Sequence, residues 1–204
     1  MIGRLGIRRG ALARGESLYV TGQRNAAFYS LRSGCVKDVL SRCTGFESVV
    51  QITLPGEVAG LGCIATARAP TTAVAVAATS YCRVTLASVE KLALEVPEIG
   101  RELLRLLAAS VTATQERFAA VLERDALARV AGCLLDISSR MKRSGLDGSR
   151  FRLGLSRRDL ASYLGVTLET VSRCLTELSK RHLVEVRGKE LRLLRPAELQ
   201  LILN

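Results

Sequence analysis

The sequence has few of the groups that most enzymes and metal sites require. It contains one histidine, and it lacks a Ser/His/Asp set, paired carboxylates in a polar setting, a phosphate-binding glycine loop and an HExxH motif. A single histidine leaves little scope for acid–base catalysis, so we predict that the protein is not an enzyme. No apolar run reaches the roughly 18 residues that a membrane-spanning helix needs, so we expect no membrane partner.

The six cysteines are scattered, and no two of them form a Cys-x-x-Cys pair. This spacing is neither that of a zinc site nor that of a disulfide framework, and it is typical of small buried residues in a reducing compartment. The first ten residues are basic but lack the apolar core of a secretory signal. We therefore expect a cytoplasmic protein without a metal site. The cysteines are Cys35, Cys43, Cys63, Cys82, Cys133 and Cys174.

Positive charge is what the chain has in excess. It has 30 Lys and Arg against 19 Asp and Glu, a formal net charge of +11. Residues 123–204 hold 16 basic and 10 acidic residues, and the longer segment 1–122 holds 14 and 9, so the C-terminal part is the more basic per residue. This excess favours a polyanionic partner, and nucleic acid is preferred to a membrane surface because no basic amphipathic segment stands out.

The N-terminal half has the pattern of a β-domain followed by a long helix. From Glu16 to Leu86, short apolar or β-branched stretches alternate with turn signals such as Ser33-Gly34, which predicts an antiparallel sandwich or barrel. After Pro97, apolar residues recur at alternating spacings of three and four. Such a stripe is typical of a dimeric coiled-coil seam, although it could also pack on its own domain. The stripe comprises Leu104, Leu107, Val111, Thr114, Phe118 and Val121.

The pattern after the seam predicts a second helix and then two short helices joined by a glycine. The second helix runs from about Asp125 to Met141, and the charged segment 142–150 after it is typical of a linker between domains. Ser156, with an acid three residues later, predicts the capped start of a short helix, which Gly165 would end in the left-handed conformation. This layout is that of a helix-turn-helix.

The second helix of the pair predicts a DNA-reading surface. Thr167 can cap it, and its apolar residues recur at spacings of three and four. Burial of these residues leaves Glu169, Ser172 and Arg173 together on the outer face. Arginine can bond guanine O6 and N7, glutamate can accept from cytosine N4, and serine adapts to either, so these three residues are predicted to read base edges. The predicted buried face comprises Leu168, Val171, Leu175 and Leu178.

Basic and hydroxyl side chains surround this helix, and we predict that they contact the DNA backbone without reading sequence. Residues 150–195 hold 11 Lys or Arg and 5 acids, and a two-stranded wing is expected at 182–186 and 190–194. The alternative is a winged-helix module for protein contact, with Glu169 and Arg173 as an ordinary surface ion pair and no salt-dependent DNA affinity. The predicted backbone contacts are Ser156, Arg157, Thr167, Thr170, Lys180, Arg187 and Lys189.

The stretch LSRRDLASYLGVTLETVSRCLTELSKRHLVEVRGKELRL resembles the DNA-binding domain of the Crp/Fnr family of bacterial transcription regulators, and ETVSR matches its Fnr/FixK-like branch. Upstream, LYVTGQRNAAFYSLRSGCVK, ITLPGEVAGL and PTTAVAVAATSYCRV resemble the family's β-roll sensory domain. The resemblance implies an α+β chain with three parts. These are an antiparallel β-roll (a jelly roll like that of cyclic-nucleotide-binding domains) at 1–96, a dimerisation helix at 97–124 and a winged helix-turn-helix at 125–204.

The same resemblance implies a function. The protein would be a homodimeric regulator that binds palindromic double-stranded DNA with TTGAT-like half-sites and contacts RNA polymerase. Glu169, Ser172 and Arg173 would be the readers of each half-site.

The resemblance leaves the controlling signal open between several effectors. Cyclic-nucleotide binders hold the phosphate with an arginine beside a small hydroxyl residue, but here the matching run is Pro70-Thr71-Thr72 and Arg68 is out of register. We therefore expect no nucleotide, although Glu57 could contact a ribose. A haem would need an axial histidine, and His182 lies far along the chain from the β-roll, so we expect it to be solvated or to face a phosphate.

An iron–sulfur cluster is the remaining option, and it gives the alternative function of an oxygen- or redox-sensing regulator. The Fnr branch holds its cluster with cysteines near the N-terminus and one in the β-roll, where Cys82 falls. The leading cysteines have no counterparts, since this chain begins about where the family's β-roll begins, and the spacing of Cys35, Cys43 and Cys63 matches no cluster pattern. We predict no cofactor unless an upstream segment is missing. Cys174, next to Arg173, and Cys82 are the candidate redox residues.

Overall fold

The computed structural model describes residues 6–41, 45, 47–122, 125–152, 154–188 and 190–203. The chain divides into two compact units, residues 1–116 and 117–204. Within the described ranges, no helix is both long enough and apolar enough to cross a membrane.

The first unit contains eight strands, which pair antiparallel in two four-stranded sheets. The strands are β1 (Arg8–Leu12), β2 (Ser17–Tyr19), β3 (Ala27–Ser33), β4 (Val36–Ser41), β5 (Glu47–Thr53), β6 (Val58–Ala59), β7 (Thr72–Ala75) and β8 (Thr79–Thr85). Their orders are β1-β8-β3-β6 and β2-β7-β4-β5, so strands far apart in sequence become neighbours. The predicted antiparallel β-roll is confirmed. The mostly exposed β1 was not predicted, because Arg8, Arg9 and Gly10 interrupt its apolar pattern.

The core of the first unit is made by side chains from both sheets, including Tyr19, Tyr29 and Leu31. The core also holds the buried carboxylate of Asp38. This carboxylate is stabilised by two hydrogen bonds, because the hydroxyls of Tyr19 and Thr71 each donate to Asp38 Oδ1 at 2.7 Å. Burial, together with the carboxylate of Asp38, raises the pKa of Tyr19 well above its usual range, so its hydroxyl stays protonated and donates. The core of the roll therefore combines apolar and aromatic side chains with one hydrogen-bonded carboxylate.

Gly34, in the turn between β3 and β4, gives a test of this packing. Its φ is +82°, and a Cβ there would lie 2.4 Å from the Ala78 carbonyl oxygen, whereas Gly22, with a φ of +80°, has open space around it. We predict that Gly22→Ala lowers the free energy of unfolding by about 1–2 kcal/mol through backbone strain. Gly34→Ala should cost about 1–3 kcal/mol more, because the backbone there must also move. Urea denaturation followed by tyrosine fluorescence measures both losses, and equal losses would contradict the crowding at Gly34.

Two helices follow the β-roll. Helix α1 (Leu86–Glu95) begins directly after β8, with Thr85 as its N-cap, and α2 (Pro97–Leu122) follows Val96. The helical part was predicted to start after Pro97, but it starts eleven residues earlier, at Leu86. Helix α1 was missed because the β-branched run that ends at Thr85 leads directly into it. No side chain of α2 is buried, although the helix is 26 residues long.

The second unit contains the end of α2 and a winged helix-turn-helix. Its elements are α3 (Ala126–Arg143), β9 (Arg150–Arg152), α4 (Arg157–Leu164), α5 (Leu168–Lys180), β10 (Val184–Arg187), β11 (Glu190–Leu193) and α6 (Pro196–Gln200). The sheet order is β10-β11-β9, so the wing has a third strand that the sequence did not predict. Segment 142–150 was predicted to be a linker between domains, but it lies within one unit. Helix α3, which precedes the segment, packs on α5 and α6, which follow it.

The turn between α4 and α5 has the predicted geometry. Ser156 and Asp159 form a reciprocal capping box at the start of α4, and Gly165 ends it at φ 64° and ψ 37°. Thr167 caps α5 by accepting from the Thr170 backbone N–H at 3.2 Å. These local contacts set where α5 begins, and thereby which of its residues face outward.

Candidate nucleic-acid interface

Helix α5 has a buried face and an exposed face that follow from its period of about 3.6 residues. Val171, Leu175 and Leu178 are buried as predicted, and Cys174 joins them at 8% exposure. Leu168 is 38% exposed, so the prediction that it is buried was wrong. The physical reason is its position, because it is the first residue of α5 and lies at the edge of the inward arc, where the core no longer reaches.

The three predicted base readers lie together on the outward face of α5. Glu169 and Arg173 are exposed and Ser172 is half-buried. Arg157, at the start of α4, donates from Nη1 to Ser172 Oγ at 3.4 Å, and Arg173 Nη2 donates to Thr170 Oγ1 at 3.5 Å. The structure thus brings Arg157, predicted as a backbone contact, against one of the readers. Their roles towards DNA stay predictions.

Glu169 is held in the ionised form by the N-terminus of α5. Its own backbone N–H and the Thr167 hydroxyl donate to the carboxylate, and Arg173 lies nearby, which lowers the pKa of Glu169 below its usual value. Because the pKa of Glu169 is lowered in the folded protein, its carboxylate is charged at neutral pH. It also stays charged at acidic pH values at which an ordinary glutamate is already partly protonated. A charged carboxylate only accepts hydrogen bonds, which suits the amino group of cytosine.

The predicted backbone contacts differ in how their polar groups are engaged. Ser156 accepts from the Asp159 N–H at 3.1 Å, and the hydroxyls of Thr167 and Thr170 bond each other at 3.0 Å. Arg187 pairs with Glu185 at 2.6 Å. Exposed Lys180 has no such pairing within the part of the chain that the structure describes. Lys189 lies outside the described residues.

Two residues that the sequence reading missed extend the exposed face of α5. Thr176 and Glu177 lie four residues after Ser172 and Arg173, and the side chains of these four residues and of Lys180 are neighbours on the surface of α5. The Thr176 hydroxyl donates to the Ser172 carbonyl at 2.9 Å. The spacing of four could have identified them. The face therefore runs along most of α5.

The outer face of the three-stranded wing is charged. Phe151 and Leu191 are buried on its inner side, and the alternation of the strands places charged residues on the other. Its cations outnumber its acids, as expected for a surface near phosphates. The sequence analysis did not predict that β9 adds charged residues to this face, because a strand of three residues is too short to show an alternating pattern. The charged residues are Arg150, Arg152, Glu185, Arg187, Glu190 and Arg192.

The predicted dimer seam is an uncovered apolar stripe on α2. Leu104 is 68% exposed, Val111 58% and Phe118 67%, while Val121 is also exposed and Leu107 is half-buried. The Thr114 hydroxyl donates to the Ser110 carbonyl at 2.8 Å, so this polar residue satisfies its hydroxyl within its own helix. A contiguous exposed apolar stripe is typical of an interaction surface.

The cysteines are dispersed in the structure as well. Cys35 and Cys63 are buried, Cys82 is half-buried on β8, and Cys43 lies outside the described residues. Among the residues that can be described, no three His, Cys, Asp or Glu side chains come together as a metal site. Burial, with a smaller effect of Asp125, raises the pKa of the Cys174 thiol.

These environments predict different thiol reactivities for the two candidate redox residues. At neutral pH, Cys174 should react with iodoacetamide on the order of ten-fold more slowly than Cys82, because it is buried and its thiolate is disfavoured. Since its pKa is raised, the rate at Cys174 should still be rising at pH 9. Mass spectrometry of the alkylated peptides measures both rates, and urea should make them similar. Fast alkylation of native Cys174 would contradict its burial and favour the redox role.

The residues considered for a cyclic nucleotide are engaged elsewhere. Arg68 Nη1 donates to the Gly22 carbonyl at 2.8 Å, Thr71 donates to Asp38, and Glu57 Oε2 accepts from the Leu54 N–H at 2.9 Å. His182 is exposed and lies in the turn after α5.

Comparisons with known proteins agree with this architecture. Residues 128–202 match the family model of a Crp-like helix-turn-helix domain. The chain is 32% identical over 194 residues to the transcriptional activator protein Anr of Pseudomonas protegens, across 95% of this chain and 80% of that protein. It is 28% identical over 192 residues to the fumarate and nitrate reduction regulatory protein of Vibrio cholerae, across 94% and 77%.

Solved structures show the same fold along the chain. FixK2 from Bradyrhizobium japonicum superposes with a TM-score of 0.85 at 25% identity, across 97% of this chain and 98% of that one. A CooA variant from Carboxydothermus hydrogenoformans superposes with a TM-score of 0.76 at 18% identity, across 100% and 91%.

Proposed function

Because this chain belongs to the Crp/Fnr family of transcription regulators, in its Fnr/FixK-like branch, we propose that it is a homodimer that reads a palindrome with TTGAT-like half-sites. It is a transcription regulator with a helix-turn-helix DNA-binding domain, and not an enzyme. The site of action would be the cytoplasm, on double-stranded DNA.

The observation that carries the proposal is the cluster of Glu169, Ser172 and Arg173 on the outward face of α5. The N-terminal part of the second helix in this motif is the part that reaches base edges in the major groove. An arginine, an ionised carboxylate and a hydroxyl there supply both donors and acceptors to bases of a half-site. Arg157 and Lys180 would contact phosphates on either side.

The exposed stripe on α2 supports the homodimer. In a monomer, Leu104, Val111 and Phe118 would stay in water, whereas a second copy of the same helix would cover them. Two-fold symmetry of the protein matches two-fold symmetry of a palindrome.

We further propose that DNA binding needs no cofactor. Arg68, Thr71 and Glu57 already bond within the chain, which supports a roll that does not require a nucleotide. RNA polymerase would be the protein partner once the dimer is on DNA.

The test is fluorescence anisotropy with a labelled TTGAT palindrome and with a scrambled duplex of the same composition, at several salt concentrations. We expect at least ~10³-fold preference for the palindrome and an affinity that falls steeply as salt rises. Equal affinity for both duplexes would overturn the reading of TTGAT. If the protein binds neither duplex in a salt-dependent way, the alternative of a protein-interaction module is favoured.

A second arm tests the cofactor. The protein is purified without oxygen, its iron is assayed, and binding is compared with and without air. Iron-free protein that binds equally in both supports cofactor-free binding. Iron together with air-sensitive binding would instead support the oxygen-sensing alternative.

A further inference from the structure

We infer that Arg117 is a positioning residue for the dimeric DNA contact. Its guanidinium, lying on the ring of Tyr163, fixes the helix-turn-helix against the C-terminal end of α2 and thereby sets the half-site spacing that the dimer accepts. The inference rests on the proposed function and adds to it a determinant of spacing, not of base sequence. It starts from Arg117 itself, which is half-buried although every other residue of α2 from Val111 onwards is exposed.

Arg117 lies against an aromatic ring of the helix-turn-helix. Its Cζ atom is 5.9 Å from the centroid of the Tyr163 ring, which is within the range of a cation–π contact. Tyr163 lies in the last turn of α4, one residue before Leu164. Burial raises the pKa of Tyr163, so its hydroxyl stays protonated at neutral pH. The contact therefore joins α2 to α4 through a cation and a neutral ring.

A second contact joins the end of α2 to the turn between α4 and α5. A Cβ built on Gly165 would lie 3.4 Å from Val121 Cγ1, so the side chain of Val121 lies directly against this turn. Arg129, on α3, donates from Nη1 to the Leu164 carbonyl at 3.2 Å. The turn from which α5 starts is therefore contacted from both α2 and α3.

The same end of α2 carries part of the proposed dimer seam. Phe118 follows Arg117 directly, and Val121 follows Arg117 at the spacing of four that places two residues on one helix face. Phe118 is 67% exposed and Val121 39%, so a second copy of α2 can still cover them. In the dimer, the distance and angle from the two-fold axis to each α5 would therefore depend on how α4 is held on α2.

The spacing of a palindrome makes this arrangement selective. Each base pair inserted between the half-sites moves one of them by about 3.4 Å and turns it by about 35°. Two α5 helices that are held rigidly match one separation, whereas loosely held helices can follow several. Rigid holding also lowers the cost of binding the second half-site, because its geometry is set in advance.

The experiment compares palindromes whose spacer is shortened or lengthened by one base pair with a duplex that carries a single half-site. Wild-type protein should prefer one spacer by at least ~10-fold. Arg117→Ala should bind that palindrome about ten-fold more weakly and should bind the three spacers within about three-fold of one another, because each protomer has lost its cation–π contact. Its affinity for the single half-site should equal that of the wild type.

Arg105→Ala is the matched control for the loss of charge. Arg105 is an exposed arginine of α2 that pairs with Glu102 at 3.2 Å, so its removal should leave the preference for one spacer unchanged. Tyr163→Phe keeps the ring and should also behave as the wild type. Tyr163→Leu removes the ring and should resemble Arg117→Ala, and the two changes together should have no larger effect than either alone, since both remove one contact.

Three results would overturn the inference. The first is an Arg117→Ala protein that keeps the wild-type preference for one spacer. The second is an equal loss of affinity for the palindrome and for the single half-site, which would mean that Arg117 acts on the DNA itself or on the folding of α5. The third is sedimentation of Arg117→Ala as a monomer, which would mean that Arg117 acts on dimerisation.

The wild-type protein separates this inference from the proposed function. If it binds the palindrome no better than the single half-site, the proposed dimeric reading has failed, and the inference fails with it. If it prefers the palindrome but accepts all three spacers equally, the proposed function stands and the role of Arg117 is overturned.

Discussion

Arg173→Ala should remove most of the preference for the palindrome while leaving general DNA binding in place. Arg173 is exposed on α5, and its guanidinium can make two hydrogen bonds to one guanine. Loss of such a pair costs about 1–3 kcal/mol per half-site, so two half-sites lose about 2–6 kcal/mol, or roughly 30- to 10⁴-fold in affinity. Anisotropy with the palindrome and with scrambled DNA measures both affinities.

The control for charge is Arg101→Ala. Arg101 is an exposed arginine that pairs with Glu98 at 3.2 Å on the first turn of α2, so its loss changes the net charge equally without touching α5. It should leave the ratio between palindrome and scrambled DNA unchanged. Arg173→Lys should behave like Arg173→Ala, because an ammonium keeps the charge but not the forked geometry. A lysine variant with wild-type preference would show that Arg173 acts only through its charge.

The helix-turn-helix could be predicted to the residue because its boundaries depend on local chemistry. The box between Ser156 and Asp159, the left-handed Gly165 and the cap at Thr167 each involve residues within four positions of one another. Interactions of this kind are encoded by short motifs and do not depend on what packs from elsewhere. The bounds predicted for α4 were therefore correct at both ends.

The elements that were missed depend on partners far away in sequence. Strand β9 exists because Phe151 pairs with Leu191, forty residues later, and its three residues have no pattern of their own. Strand β1 pairs with β8, which is about seventy residues away. Such pairing is set by tertiary packing, which overrides local preference. Strand β9 of the wing and strand β1 of the β-roll could therefore not be predicted from local sequence patterns.

The error at Leu168 shows where a helical pattern stops being informative. The period of α5 assigns Leu168 and Cys174 to the two edges of one inward arc, but the structure buries Cys174 and exposes Leu168. A period states which residues share a face, and it does not state how far the core extends along the helix axis. The exposed face of α5 therefore includes Leu168 and excludes Cys174.

Val111→Glu should convert the dimer into a monomer and thereby weaken binding to the palindrome about 10²- to 10⁴-fold. Val111 lies in the middle of the apolar stripe on α2 and is 58% exposed in the single chain. In a dimer with this seam, two glutamates would face each other in an apolar contact, where an unpaired charge is strongly unfavourable. Without pairing, each half-site is bound separately, and the gain from linking two contacts is lost.

Ala109→Glu is the matched control, because it adds the same charge to the same helix. Ala109 is exposed and lies two residues before Val111, roughly 200° around α2, so its side chain projects away from the stripe. It should leave both the sedimentation coefficient and the affinity for the palindrome unchanged. Val111→Glu should sediment as a monomer at concentrations where the wild type is a dimer, yet bind a single half-site as the wild-type helix does. If Val111→Glu stays dimeric, the chains associate through another surface and the stripe has a different partner.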